Sequence, residues 1–408
     1  MARSLVLCLL VLFGLARIAV MLPYRVIHQD FAHYYLSSRL WYEGTSPYPV
    51  ALGALHARYG FHEADVIPHA TNPPPLVWLF APLTALSPWA AYLVWVGLQG
   101  LSLLALLLGV RCLLGDRLPV DAWLMLSALT WVSAPVFAHF RDGQVQLLLA
   151  ALILVAYALQ RRGWHHSAVA LITLTGMLKL FPLALVPWFV WQASPRWRGR
   201  ACYALEALGL AAVMVALTGL QAWRDFATYG LPIIQAYLVD HPTNYSLTAW
   251  VSALARAFGV PATPAALSGW LRLGTFAGVS CIVLAYAASL RQRHEPELPF
   301  ALLCIAMVIG SPTAWAHYLV LLIAPLTLVS TVLWPQLSVL GRGSLVGVGL
   351  LVMTVGTERL VSSPYDWLNI LLWHAPLYAL LGLGGWLGMI LWRAQPRVIA
   401  PYRGSFAA

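Results

Sequence analysis

The sequence predicts an all-α polytopic membrane protein, and three observations predict it. Of 408 residues, 61% are apolar and only 9% charged, whereas a soluble domain carries about 25% charged residues. Mean hydropathy is +0.77, and no water-soluble packing hides that much apolar surface. Apolar runs of about 20 residues, the length that crosses a bilayer as a helix, recur along the whole chain. The arginines fall between those runs in a one-sided order.

Taken in order, spans are expected near 5–22, 89–113, 120–137, 143–160, 201–221, 267–290, 298–311, 317–334, 344–358 and 367–392. The first has a short basic start like a signal peptide but lacks a clear small-residue cleavage site, so it reads as an uncleaved helix. The run from 167 to 194 begins and ends beside basic clusters and holds Lys179 and Pro182 near its middle. It reads as two short passes forming a hairpin, for about twelve passes in all.

Counting spans puts Arg111 with Arg117, Arg161 with Arg162, and Arg196, Arg198 and Arg200 on the side of Arg3. Arg291 with Arg293, Arg342, and Arg393, Arg397 and Arg403 join them. The positive-inside rule makes that side cytoplasmic, with both termini inside. The net charge of +10 is thus a topology signal, and no nucleic-acid partner is expected. Cys8, Cys112, Cys202, Cys281 and Cys304 show no metal-like spacing and read as small core residues.

The opposite face receives the long segment 23–88 and a second loop, 222–266. Within the first, Phe31 to Trp41 is an amphipathic stretch, and Leu76 to Leu86 is too short to span and lies in or re-enters the interface. The chain divides into a catalytic membrane module, 1–200, which includes that outer loop, and a C-terminal membrane module, 201–408, which completes the site from its own outer loops. No internal repeat is visible, which weakens a reading as a transporter or flippase, since many transporters are built from repeats.

The titratable side chains gather on the outer face. Asp30, in His28-Gln29-Asp30-Phe31-Ala32-His33-Tyr34-Tyr35, sits at the membrane–water boundary. Partial burial there raises a carboxylate toward a general base's working range; the alternative is an N-cap for the helix that follows. His69 and Asn72 come next, before a run of three prolines. Arg141 and Gln144 open a span at the outer end, where arginine opposes the positive-inside rule. They are candidates for an anion site at that helix start; the alternative is a local Arg141–Asp142 pair. Lys179 is the only lysine in the chain and lies inside an apolar run. An ionisable group there is a functional candidate, and a point-charge ammonium suits a phosphate; the alternative is snorkelling to the interface. Asn244, in His241-Pro242-Thr243-Asn244-Tyr245-Ser246, and His317, in Ser311-Pro312-Thr313-Ala314-Trp315-Ala316-His317-Tyr318, complete the outer set. His317 is a proton shuttle or phosphate donor, or else an interfacial histidine. Glu358, Arg359, Asp366 and His374 near the last outer loop are equally ambiguous. No phosphate-cradling glycine loop, His-Glu-x-x-His or nucleophile elbow occurs, and no metal ligand set is visible.

In their order, these segments resemble the family 87 glycosyltransferases of the GT-C superfamily. The likeness is carried by Asp30 with Tyr34-Tyr35, Gly44 to Tyr48, Asn72 to Leu76 with Pro82-Leu83, Gly143-Gln144-Val145 with Arg161-Arg162-Gly163, Lys179 to Pro182, Asn244 to Leu247, and Ser311-Pro312 with His317. It runs from about residue 28 to 330, and beyond that only hydropathy matches. The resemblance implies a GT-C-like bundle with interfacial helices in the outer loop, in the inner (plasma) membrane of a bacterium. It implies a cofactor-free enzyme that moves a sugar, typically mannose, from a polyprenyl-phosphate donor to a lipid or glycan acceptor, with membrane lipids around it. Asp30 matches the family's catalytic base and His317 the histidine near the donor phosphate. A second histidine often follows that one, and here Tyr318 stands in its place. Lys179, Arg141 and Gln144 are then expected on the donor phosphate, and His33, Tyr34, Asn72 and Asn244 against substrate. Single displacement inverts the anomeric centre; retention needs a nucleophilic carboxylate, for which Asp142 is the second candidate.

Overall fold

The computed structural model describes residues 2–25, 30–59, 61, 69–234, 244–260, 264–290, 296–354 and 366–393. His28, Gln29, His241, Arg291, Arg293, Glu358, Arg359, Arg397 and Arg403 lie outside the described residues, as do the side chains of Arg3 and Asp366. Among the described residues the ordered elements are helices, and one antiparallel bridge joins Asn244 to Trp315. The protein is an all-α polytopic membrane protein.

Among the described residues, five helices are long and apolar enough to cross a bilayer: Pro88–Arg117, Trp197–Thr218, Ser268–Ser289, Ala316–Gln336 and Ala375–Arg393. The remaining expected passes are shorter, among them Val6–Val20, Gln146–Arg161, Glu297–Gly310 and Val339–Thr354. The expected dozen is therefore not reached on length and apolarity alone among the described residues. The first helix, Ala2–Arg25, packs into the bundle: Arg17 Nη1 donates to the Val132 carbonyl at 3.1 Å, and its guanidinium lies 4.0 Å from the centre of the Phe137 ring.

Two breaks position the site. The expected pass at 120–137 bends by 48° between Val120–Val132 and Ala134–Asp142. Pro135 has no N–H, and its ring would meet the carbonyl four residues back, so the first helix stops. Ser133 restarts it, its hydroxyl accepting from the Val136 amide at 3.5 Å. The second break is the expected hairpin. His165–Leu178 ends at Lys179, whose backbone is extended (φ −147°, ψ 103°), and Pro182 bars continuation past Leu178 in the same way. Phe181–Leu185 and Val186–Ala193 then return along the same helix.

The helix Asp30–Tyr42 corrects the expectation of an amphipathic stretch at Phe31 to Trp41. Phe31 through Ser38 are all buried. Pro74–Phe80 and Ala81–Ala85 cover it, with Phe80 against both Phe31 and Tyr34. Aromatic burial packs this helix into the outer loop. The cysteines are a second correction: Cys304 alone is buried, while Cys8, Cys112 and Cys202 are exposed on apolar helices.

The helices also separate two ends. Gln146–Arg161 has 16 residues, about 24 Å at 1.5 Å per residue. Gly143 and Gln144 precede its start, and Arg161, paired with Glu297, closes the other end. Likewise His165–Leu178 leads from the basic end to Lys179.

Candidate active site

Gly143 anchors the site. It caps the helix Ala134–Asp142 in the left-handed conformation, φ 67°, which glycine adopts without strain. A Cβ there would stand 2.7 Å from Cβ of Phe31, so glycine also permits the close approach of the Asp30 helix. Trp95 Nε1 donates to the Gly143 carbonyl at 2.8 Å and fixes the turn.

That approach places Gln144 between two residues of the outer loop. Gln144 Nε2 donates to Asp30 Oδ2, and Tyr34 Oη donates to Gln144 Oε1 at 2.8 Å. Asp30 opens the helix, but its carboxylate is engaged by Gln144. Asp30 keeps part of its surface open. The protein packed on its other sides, and then the nearby charge of Asp142, push its carboxyl up to about 7, against the opposing pull of Lys179, Gln144 and Arg141. A carboxyl in that range is matched to general-base work at neutral pH.

On the next turn, Arg141 makes the local pair with Asp142 that the sequence left as an alternative: Nε donates at 2.6 Å and Nη2 at 3.1 Å. His317 is buried in the 3-10 helix Ala316–Leu322, which packs on Ala134–Asp142 and Gln146–Arg161. Its Nδ1 lies 3.5 Å from Asp142 Oδ2. Lys179 Nζ lies 6.0 Å from the Tyr34 ring centre, and its charge reaches Asp30 and His317. Asp30, Tyr34, Arg141, Gln144, Lys179 and His317 therefore come together from segments spread over the chain.

Three expected residues have other surroundings. His33 is buried beside His56, and burial followed by that neighbour pushes it down to about 3, so it is neutral. Asn72 is buried, and its carbonyl accepts from Tyr48 Oη at 2.8 Å. Asn244 is a clasp: Oδ1 accepts from the amides of Ser246 (3.1 Å) and Ala314 (2.8 Å), and Nδ2 donates to the Pro312 carbonyl (3.1 Å). It holds the segment that carries His317. Tyr318 packs its ring 5.2 Å from that of Phe181, beside the Lys179 turn.

Sequence reasoning missed Asp142 as the hub of the second group, and missed His139, whose Nε2 lies 2.8 Å from Gln99 Oε1 behind it. Buried polar residues in an apolar helix were the available signal. Among the described residues, no three His, Cys, Asp or Glu side chains gather as a metal site.

The sequence pattern of glycosyltransferase family 87 matches residues 70–312. The chain belongs to glycosyltransferase family 87. Asp30 and His317 fall outside the matched stretch, and it is the fold that joins them to Gln144 and Lys179 inside it. The chain is 27% identical over 359 residues to a polyprenol-phosphate-mannose-dependent alpha-(1-2)-phosphatidylinositol mannoside mannosyltransferase of Mycobacterium tuberculosis, covering 81% of this chain and 76% of that protein. It is 26% identical over 344 residues to the protein of the same description from Mycolicibacterium smegmatis, covering 76% and 70%. As a family 87 member, the chain is a membrane-embedded glycosyltransferase.

Proposed function

We propose that this family 87 enzyme transfers mannose from polyprenyl-phosphate mannose to a hydroxyl of a lipid or glycan acceptor, at the outer face, with inversion. The observation that carries the reading is the juxtaposition of Asp30, a carboxyl poised near neutrality, with the cationic or donor side chains Lys179, Arg141 and His317. The donor of the two mycobacterial relatives, polyprenol-phosphate mannose by their descriptions, supports this donor. The one-sided arginines support an outer site in the inner membrane of a bacterium, with both termini inside.

The chemistry follows from where charge moves. Asp30 takes the proton of the acceptor hydroxyl as its oxygen attacks the anomeric carbon. The bond from that carbon to the phosphate oxygen breaks, and its electron pair leaves on the polyprenyl phosphate. Lys179, Arg141 and His317 stabilise the charge that develops there. Asp142 is held by Arg141, which argues against a free nucleophile and for single displacement. Residues 1–200 supply the base and two cations, and 201–408 supply His317. The transporter reading needs charges strung along a midplane path, whereas these close on one another.

The test is direct. Purified protein incubated with polyprenyl-phosphate mannose and candidate acceptors should release polyprenyl phosphate in an acceptor-dependent way. Absence of release with every mannolipid and glycan tried would remove the donor assignment.

A further inference from the structure

Asp142 does more than neutralise its neighbour. Its carboxylate is 6% exposed and uses both oxygens on Arg141, a two-pronged geometry that fixes the guanidinium plane. Two of the five guanidinium N–H groups are spent there, leaving three to point elsewhere. The same Oδ2 that accepts from Arg141 Nη2 faces His317 Nδ1. A carboxylate on one ring nitrogen settles which nitrogen is turned outward, and here that is Nε2. His317 Nε2 is buried and has no hydrogen-bond partner among the described residues. A buried polar atom without a partner calls for a ligand or for strain.

We propose that Asp142 is a positioning residue, holding the guanidinium of Arg141 and the imidazole of His317 so that both address one donor phosphate. The proposal rests on the transferase reading above and assigns a role within it. The titratable and charged groups around His317 are Arg141, Asp142 and His139 on the facing helix, Lys179 at the hairpin tip and Tyr318 beside it. Of these, Asp142 alone is an acceptor for Nδ1 and a partner of Arg141 at once. Without it the imidazole can turn, and Arg141 loses the pair that fixes its plane.

The experiment measures binding of a short-chain polyprenyl-phosphate mannose to the full-length protein without acceptor, and steady-state transfer with it. Asp142→Asn should weaken donor binding about 10–100-fold, by analogy with the loss when the carboxylate behind a metal-ligating histidine is removed, and leave the acceptor KM unchanged. His317→Gln should weaken it comparably, and the double variant little more than the worse single one. Asp142→Glu, which restores the carboxylate, should recover part of the loss. Unchanged donor affinity in Asp142→Asn overturns the proposal, as does a double variant whose loss equals the product of the two single losses. Should Asp142→Asn fail to fold, the cycle of Arg141→Gln with His317→Gln decides: groups set by one carboxylate are coupled, and strict additivity overturns the role. Wild-type protein that binds no donor overturns the donor reading and this proposal with it; donor binding with additive variants overturns this proposal alone.

Discussion

Tyr34 Oη donates to Gln144 Oε1 at 2.8 Å across 110 residues of sequence. The other end of the same amide donates to Asp30, one helical turn before Tyr34. A glutamine carries an acceptor and a donor on one rigid plane, and an ionised Asp30 only accepts, so it takes the Nε2 end and leaves Oε1 to the hydroxyl of Tyr34. The carboxylate is thereby oriented before any substrate arrives, and the hydrogen bond offsets part of the desolvation that raises its pKa.

Asp30→Asn should abolish transfer, by roughly 10²–10⁴-fold, the contribution of a positioned base, with donor binding near normal. Folding should not suffer. A carboxyl raised to about 7 stabilises the fold while protonated, and that contribution is lost as pH rises through about 7. At pH above that value, the unfolding temperature of Asp30→Asn should be no lower than that of the wild type. A loss of only a few-fold in rate would remove the base assignment.

The pH dependence should follow the same carboxyl. A base works deprotonated, so kcat/KM for the acceptor should rise with pH through about 7 and level off above it. Gln144 bonds to the charged form and holds that midpoint down. Gln144→Leu leaves burial and Asp142 less opposed, so the midpoint should move upward. A downward move, or none, would detach Gln144 from the titrating group.

Lys179→Ala should weaken donor binding strongly, and Lys179→Arg should rescue it only in part. An ammonium and a phosphodiester are favourable together in a low-dielectric site only with good geometry, and the planar guanidinium has a different one. A snorkelling lysine would accept arginine fully. Titrating both variants with the donor, without acceptor, distinguishes the two; wild-type affinity in Lys179→Ala would take Lys179 out of the site.

For topology, the exposed Thr45 and Arg198 are better reporters than Asn244, which is fully buried. In intact cells, and in a variant lacking the native cysteines, Thr45→Cys should react with an impermeant thiol reagent and Arg198→Cys should not. The reverse pattern would move the site to the cytoplasmic face.

Membrane residence, helical class and the break at the hairpin were legible in the residues. Solvent preference adds up over composition, and Pro182 inside the 167–194 run marked the hairpin, whereas the break at Pro135 fell within a stretch expected as one pass, 120–137. The single lysine and the ordered motifs also singled out Asp30, Lys179 and His317. The hairpin at Lys179 was legible from Pro182 and the flanking arginines.

What the sequence by itself determined, then, were the properties that depend on local chemistry or on composition: the bilayer as solvent, the helices, the hairpin break and the list of reactive groups. Only the tertiary structure decided which of those groups meet. Nothing local says that Gln144 turns to Asp30 and not to a phosphate, that Asp142, beside Arg141 in the chain, also faces His317, or that Asn244 clasps the loop carrying His317. Those partners are separated by 114, 175 and 70 residues. Contacts at such separations exist only once apolar packing, here Phe31 against Gly143 and the aromatic cover of the outer loop, has brought the helix ends together.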